Sequence, residues 1–169
     1  VSPIAQVSSA TGLDRGFEHF HYLGKDQLLE QVGPRILARY LLNLRRHSAG
    51  WTTDTRKHST GYMIDALASR HIRRASADDE PLFRYAHLGD SHHPYYPPRG
   101  WRDRFEDDLD LPTDRALAAS LDMSDRIHEH IADGLPFDAA TWNAIDVMYD
   151  SALAYVDAVA SSIVETARA

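Results

Sequence analysis

The sequence predicts an α/β segment built mostly of helices, with one strand whose sheet is completed by residues outside this chain. Three observations carry that prediction. Apolar residues recur at three- and four-residue spacing through four stretches. One short run, residues 82–88, holds Leu, Phe and Tyr between turn formers and reads as a strand. It leads into a loop containing three prolines and two adjacent histidines. A lone strand leaves its backbone donors and acceptors without partners, and helices cannot supply them. A strand followed by a ligand-type loop and flanked by helices belongs to an α/β domain, here one whose other strands lie elsewhere.

The elements follow in order. Residues 1–24 are rich in Ser, Gly and aromatic residues without helical period, a connecting loop with at most one short strand. Pro34 fits a first helical position, and Ile36, Leu37, Tyr40, Leu41 and Leu44 keep helical spacing up to Gly50. A second helix is expected over 59–76, with Met63, Ile64, Leu67, Ala68, His71 and Ile72 on one face and arginines on the other. The break Asp78-Asp79-Glu80-Pro81 precedes the strand, and residues 89–98 are too proline-rich for helix or interior strand. A short helix is expected within 100–107. A longer one follows over 112–133, marked by Leu117, Leu121, Ile127 and Ile131 and stopped by Gly134. Asp138 caps the last helix, with Phe137 and Trp142 at the positions of a hydrophobic staple, and Ile145 to Ile163 continue its apolar face almost to Ala169.

Composition narrows the function. The net charge of −7 argues against a nucleic-acid surface, which needs clustered Lys and Arg that outweigh the acids. Apolar runs are broken by charge before they reach the roughly 20 residues a bilayer requires, so no membrane span is expected. There is no cysteine, hence no disulfide, no thiolate metal site and no cysteine nucleophile. Lys25 and Lys57 are the only lysines and Asp outnumbers Glu, a balance that resembles proteins of salt-loving archaea. Residues 1–10 lack an initiator Met and the basic-then-apolar order of a secretion signal, so a start inside a longer chain is expected. The compartment stays open, with the cytoplasm slightly favoured.

The densest group of chemistry-bearing residues is 83–98, Phe-Arg-Tyr-Ala-His-Leu-Gly-Asp-Ser-His-His-Pro-Tyr-Tyr-Pro-Pro. In an open α/β sheet the crevice beyond a strand's carboxyl end is where ligands bind. A proline-stiffened loop there holds an imidazole at little entropic cost, and imidazole donates to anionic oxygens or protonates a leaving group near neutral pH. The plainer alternative is that these histidines hydrogen-bond the loop itself.

This stretch resembles the centre of the sulfatase family, in the alkaline-phosphatase-like superfamily, where Phe-x-Tyr-x-His leads into Asp-x-His-x-Pro-Tyr-x-Pro-Pro. Two more stretches fit in order: 11–20 upstream, with Gly16-Phe17-Glu18-His19-Phe20, and 149–157 downstream, with Tyr149-Asp150 and Asp157. The resemblance implies one internal segment, residues 1–169, of a single sulfatase-like catalytic domain, with a partial alkaline-phosphatase-like fold. It implies hydrolysis of a sulfated small molecule or glycan by a formylglycine, assisted by a divalent metal, usually calcium. The nucleophile motif, Cys or Ser followed by x-Pro/Ala-x-Arg, matches nowhere on this chain, and the family's acidic metal ligands are expected outside it. The family's Gly-Lys-x-His element is also not seen before Gly16. The isolated chain is therefore expected to be inactive.

What carries over is His92, matching the histidine that in the family binds the sulfate ester or its leaving oxygen and donates a proton. His93 is a weaker substrate-binding candidate. Asp90 and His87 are candidates for orienting an imidazole from behind, although an Asp before a turn is also a turn former. Other groups read as structural. His128 and His130, two apart on a helix, do not face each other. His71 reads as a satisfied buried imidazole. Asp150 and Asp157 are about 10 Å apart along the axis, too far for one metal. The Arg70, Arg73 and Arg74 cluster makes exposed ion pairs of little worth. Two rivals remain: a phosphoester hydrolase of the same superfamily, and a helical binding module whose loop contacts a partner protein or zinc.

Overall fold

Five α-helices stand among the residues that the computed structural model describes, namely 2, 8–23, 57, 59–78, 81–134 and 136–169. They are α1 Gly61–Ala77, α2 Arg99–Arg102, α3 Thr113–Asp125, α4 Ile127–Asp133 and α5 Ala139–Arg168. The described chain is mostly helical. The helix expected over 34–50 lies outside the described residues. The chain divides into two compact units, one of Val1–Leu42, Thr60–Gly89 and Asp157–Ala169, the other of Asn43–Ser59 and Asp90–Val156.

In the first unit, α1 buries the face its spacing marked. Met63, Ile64 and Leu67 pack with Leu23, and Tyr62, Ala86, Leu88 and Ile163 close around them. Asp65 of α1 adds a polar seam to the last turns of α5: Ser162 donates to Oδ2 at 3.2 Å, Ser69 to Oδ1 at 3.1 Å, and Ser69 also meets Thr166 at 3.1 Å. Ser2 and Tyr22 form a single parallel bridge, in which Ser2 N–H donates to His21 O and Leu23 N–H to Ser2 O.

Residues 82–88, expected as a strand, form no regular strand in the described structure. Their exposure alternates only from Phe83, 81% exposed, through half-buried Arg84 and exposed Tyr85 to half-buried Ala86; Leu82 is exposed, His87 is half-buried, and Ala86 and Leu88 join the core. A ladder depends on a neighbouring backbone, and none is assigned among the described residues.

The second unit is centred on α3 and the first half of α5. Ala116, Leu117, Ala144, Val147 and Met148 form its main core, ringed by Tyr95, Tyr96, Phe105, Leu109 and Leu111. Met123 and Ile145 form a smaller one with Ile127, Phe137 and Trp142. The expected start of α5 is in place. Asp138 Oδ1 accepts from Thr141 N–H at 2.8 Å; the Thr141 hydroxyl and then this N–H hold its carboxyl below the ordinary range, and the Phe137 and Trp142 rings meet edge-on at 5.4 Å.

The helix expected as one piece over 112–133 is two. Arg126, at φ −107° and ψ 19°, separates α3 from α4, and its guanidinium grips Asp122 on one side and Glu129 on the other. Ile131, counted by its spacing with Leu117, Leu121 and Ile127, is 75% exposed on α4. Gly134 ends α4 at φ +76° and ψ 154°, a conformation only glycine adopts freely, while its N–H still reaches His130 O.

One property of α5 departs from the sequence expectation. The helix is long and apolar enough to cross a membrane by length and composition alone. Along the same helix Ala144, Ile145, Val147, Met148, Ala152, Tyr155 and Val159 are buried in protein.

Candidate functional site

The loop 89–98 is built of turns and bends, as its three prolines require. Within the second unit its shape is held by α3, which offers two serines one turn apart. Ser120 is fully buried, and its Oγ accepts from Tyr95 N–H at 2.7 Å; Ser124 Oγ lies 2.9 Å from His93 Nδ1. Pro97 is fully buried, and its carbonyl accepts from Arg102 Nη1 at 3.1 Å. The Tyr95 ring leans on Tyr149 at 5.1 Å, and burial pushes its hydroxyl up. The His93–Pro94 peptide is cis.

These contacts separate the two histidines. His93 is half-buried, and desolvation followed by the charge of His92 lowers its pKa, so it stays neutral beside Ser124. His92 is exposed and stacks at 4.3 Å on His93, with Nδ1 2.7 Å from the His93 carbonyl. A carbonyl only accepts, so the proton sits on Nδ1 and Nε2 is the end that faces outward. Neutral, Nε2 accepts a proton; protonated, it donates to an anion.

Of the four sequence candidates, the structure brings together His92 and His93. Asp90 sits in the turn that opens the loop. His87 belongs to the first unit, where Nδ1 lies 3.2 Å from Ser2 Oγ and the ring meets Tyr85 at 6.2 Å. The groups read as structural behave so: Asp150, Asp157 and His128 are exposed, His130 packs on Trp142 at 5.3 Å, and Arg74 pairs with Asp78 at 3.8 Å on the surface. Among the described residues no three His, Asp or Glu side chains converge as a metal site would need.

Sequence reasoning missed Ser120 and Ser124, although their four-residue spacing beside Leu117 and Leu121 placed them near a buried face. It also missed Arg84. This guanidinium, set between two aromatic residues in an apolar run, lies half-buried in the first unit with Nη1 2.5 Å from His71 Nδ1. Since arginine only donates, His71 must accept, and burial together with Arg84 holds its pKa down at about 4.

No protein-family model, no curated protein and no solved structure matches the chain. Any functional reading therefore stands on the residues and their geometry.

Proposed function

We propose that this chain is part of a sulfatase-like hydrolase, a segment of one α/β catalytic domain of the alkaline-phosphatase-like kind, in which the His92 loop meets the sulfate ester of a small molecule or glycan. The observation that carries the reading is an agreement between motif and geometry. Residues 83–98 follow the order of the family's central motif, and the histidine marked by that order is exposed, fixed through Nδ1 and open at Nε2. In its protonated form Nε2–H donates to the ester oxygen, and on cleavage the proton passes to the departing alkoxide, which leaves as the alcohol. His93 and Ser124 set the position of the ring beneath.

The family's calcium ligands and formylglycine are expected outside these residues: no three convergent ligands are found among the described residues, and no Cys or Ser of the chain stands in the x-Pro/Ala-x-Arg context. The part of His92 is accordingly confined to binding the ester and holding a proton. A phosphoester hydrolase would use the same imidazole for the same purpose, and a helical binding module would use it for a partner protein or zinc.

Titration with inorganic sulfate, followed through the imidazole NMR resonances, tests the reading. The His92 signals should move in a saturable way, and His92→Ala should abolish the response without changing the fold. A flat titration sinks the proposal, while a response to zinc alone favours the binding module. The coding sequence around the chain separates the enzymes: a Cys or Ser formylglycine motif upstream supports the sulfatase, an unmodified Ser or Thr the phosphoesterase.

A further inference from the structure

Within the first unit the run 82–88 is held more weakly than its neighbours. It forms no regular strand in the described structure, and Leu82, Phe83 and Tyr85 are exposed. Ala86 and Leu88 are its apolar anchors. Arg84 ties it to α1 by giving Nη1 to His71 Nδ1, while its Nε and Nη2 are shielded from solvent and have no acceptor. Local opening lets water reach both donors, so the buried guanidinium itself favours release.

The tie to α1 holds only while His71 is neutral. Arginine only donates, so His71 Nδ1 accepts, and a proton at that nitrogen would set two donors face to face. The groups around the imidazole add to the conflict. Arg84 faces it from the run, His21 and His19 from the segment before Leu23, and Arg70 from α1 itself; the His21 ring lies 5.2 Å away. Burial first, and then these groups, hold the His71 pKa at about 4 against an ordinary 6.5.

We infer that the Arg84–His71 contact is an acid-operated latch: protonation of His71 breaks it, the run 82–88 lifts away from α1, and the Arg84 guanidinium passes into water. The sign follows from linkage. The latched state refuses a proton that the released state accepts at its ordinary value, so release is favoured increasingly as pH falls below 6.5 toward 4. The run contributes Phe83, Arg84 and Tyr85 to the lining of an aromatic cavity of about 270 Å³, and residues Leu13, Phe17 and Phe20 supply much of the rest. Phe17 and Phe83 stack across it at 6.0 Å. Release parts that pair and uncovers an aromatic surface in acid.

The sealed Arg84 Nε–H reports the latch directly, because it exchanges with water only after opening. Its exchange is followed by NMR on the full chain at pH 7 and pH 5, corrected for the intrinsic pH dependence of guanidinium exchange. Arg102 Nε, buried in the second unit, is the internal reference. Relative to Arg102, Arg84 Nε–H should exchange about five-fold faster at pH 5. His71→Gln offers a carbonyl that accepts from Arg84 and does not titrate, so it should abolish the acceleration; Arg102 reports whether that variant is folded. An unchanged ratio in the wild type, acceleration of both arginines alike, or acceleration that survives His71→Gln would overturn the inference.

Discussion

His71 and Arg84 illustrate what single residues contribute and what they cost. A buried donor without an acceptor costs about 1–3 kcal/mol, and Arg84 has two. Its one internal partner, His71, must stay neutral to accept, which ties this contact to pH. The folded pKa of His71 is about 4, below the ordinary 6.5. Between those values the unfolded chain takes up a proton that the folded chain refuses. Stability from this group is therefore complete above pH 6.5 and is lost as pH falls toward 4. Because the ring is only partly buried, the expected loss is on the order of 1 kcal/mol. Urea unfolding at pH 7 and pH 5 checks this: His71→Gln should flatten part of the pH dependence, and an identical dependence in both proteins would remove His71 as its source. The sequence marked His71 as a satisfied imidazole and His92 as the reactive one, since helical spacing placed the first and a motif the second. It did not reveal Arg84, because an arginine inside an apolar run gives no sign of which partner it meets.

At the scale of elements, legibility follows how local the determinant is. The start of α5 was readable because the Asp138 cap and the Phe137–Trp142 staple lie within five residues of one another. The face of α1 was readable for the same reason. The break at Arg126 was not, since helical spacing continues through it, and the pairs that Arg126 makes with Asp122 and Glu129 are ones a continuous helix also carries. The strand expected over 82–88 rested on a short run with Phe and Tyr between turn formers, which says nothing of the second stretch of backbone that a ladder depends on. The end of α4 gives a direct test. Gly134 has open space where a Cβ would go, so Gly134→Ala is strained through its backbone alone. A loss of about 1–2 kcal/mol is expected in chemical denaturation; a neutral result would mean that the turn relaxes to negative φ.

For the molecule as a whole, composition set boundaries that the structure fills in differently. The apolar content suffices for a core, yet the buried residues gather within two compact units, and α5 contributes to both: residues up to Val156 to one, those from Asp157 to the other. Apolar fraction alone does not reveal such a division, because it has no record of which helix faces meet. The same limit explains the membrane expectation, which counted charges along the chain, whereas the charged positions of α5, Asp146, Asp150, Asp157, Glu165 and Arg168, are all exposed beside a buried stripe. The staple at the start of α5 also makes the fold visible to light. Trp142 lies 5.4 Å from Phe137 and 5.3 Å from His130, so the indole reports on ring packing that unfolding removes. Its emission should shift toward the red as the second unit unfolds in denaturant, and Trp142→Phe should remove that part of the change. The shift would give an intrinsic optical signal for the packing of the second unit, with no label attached.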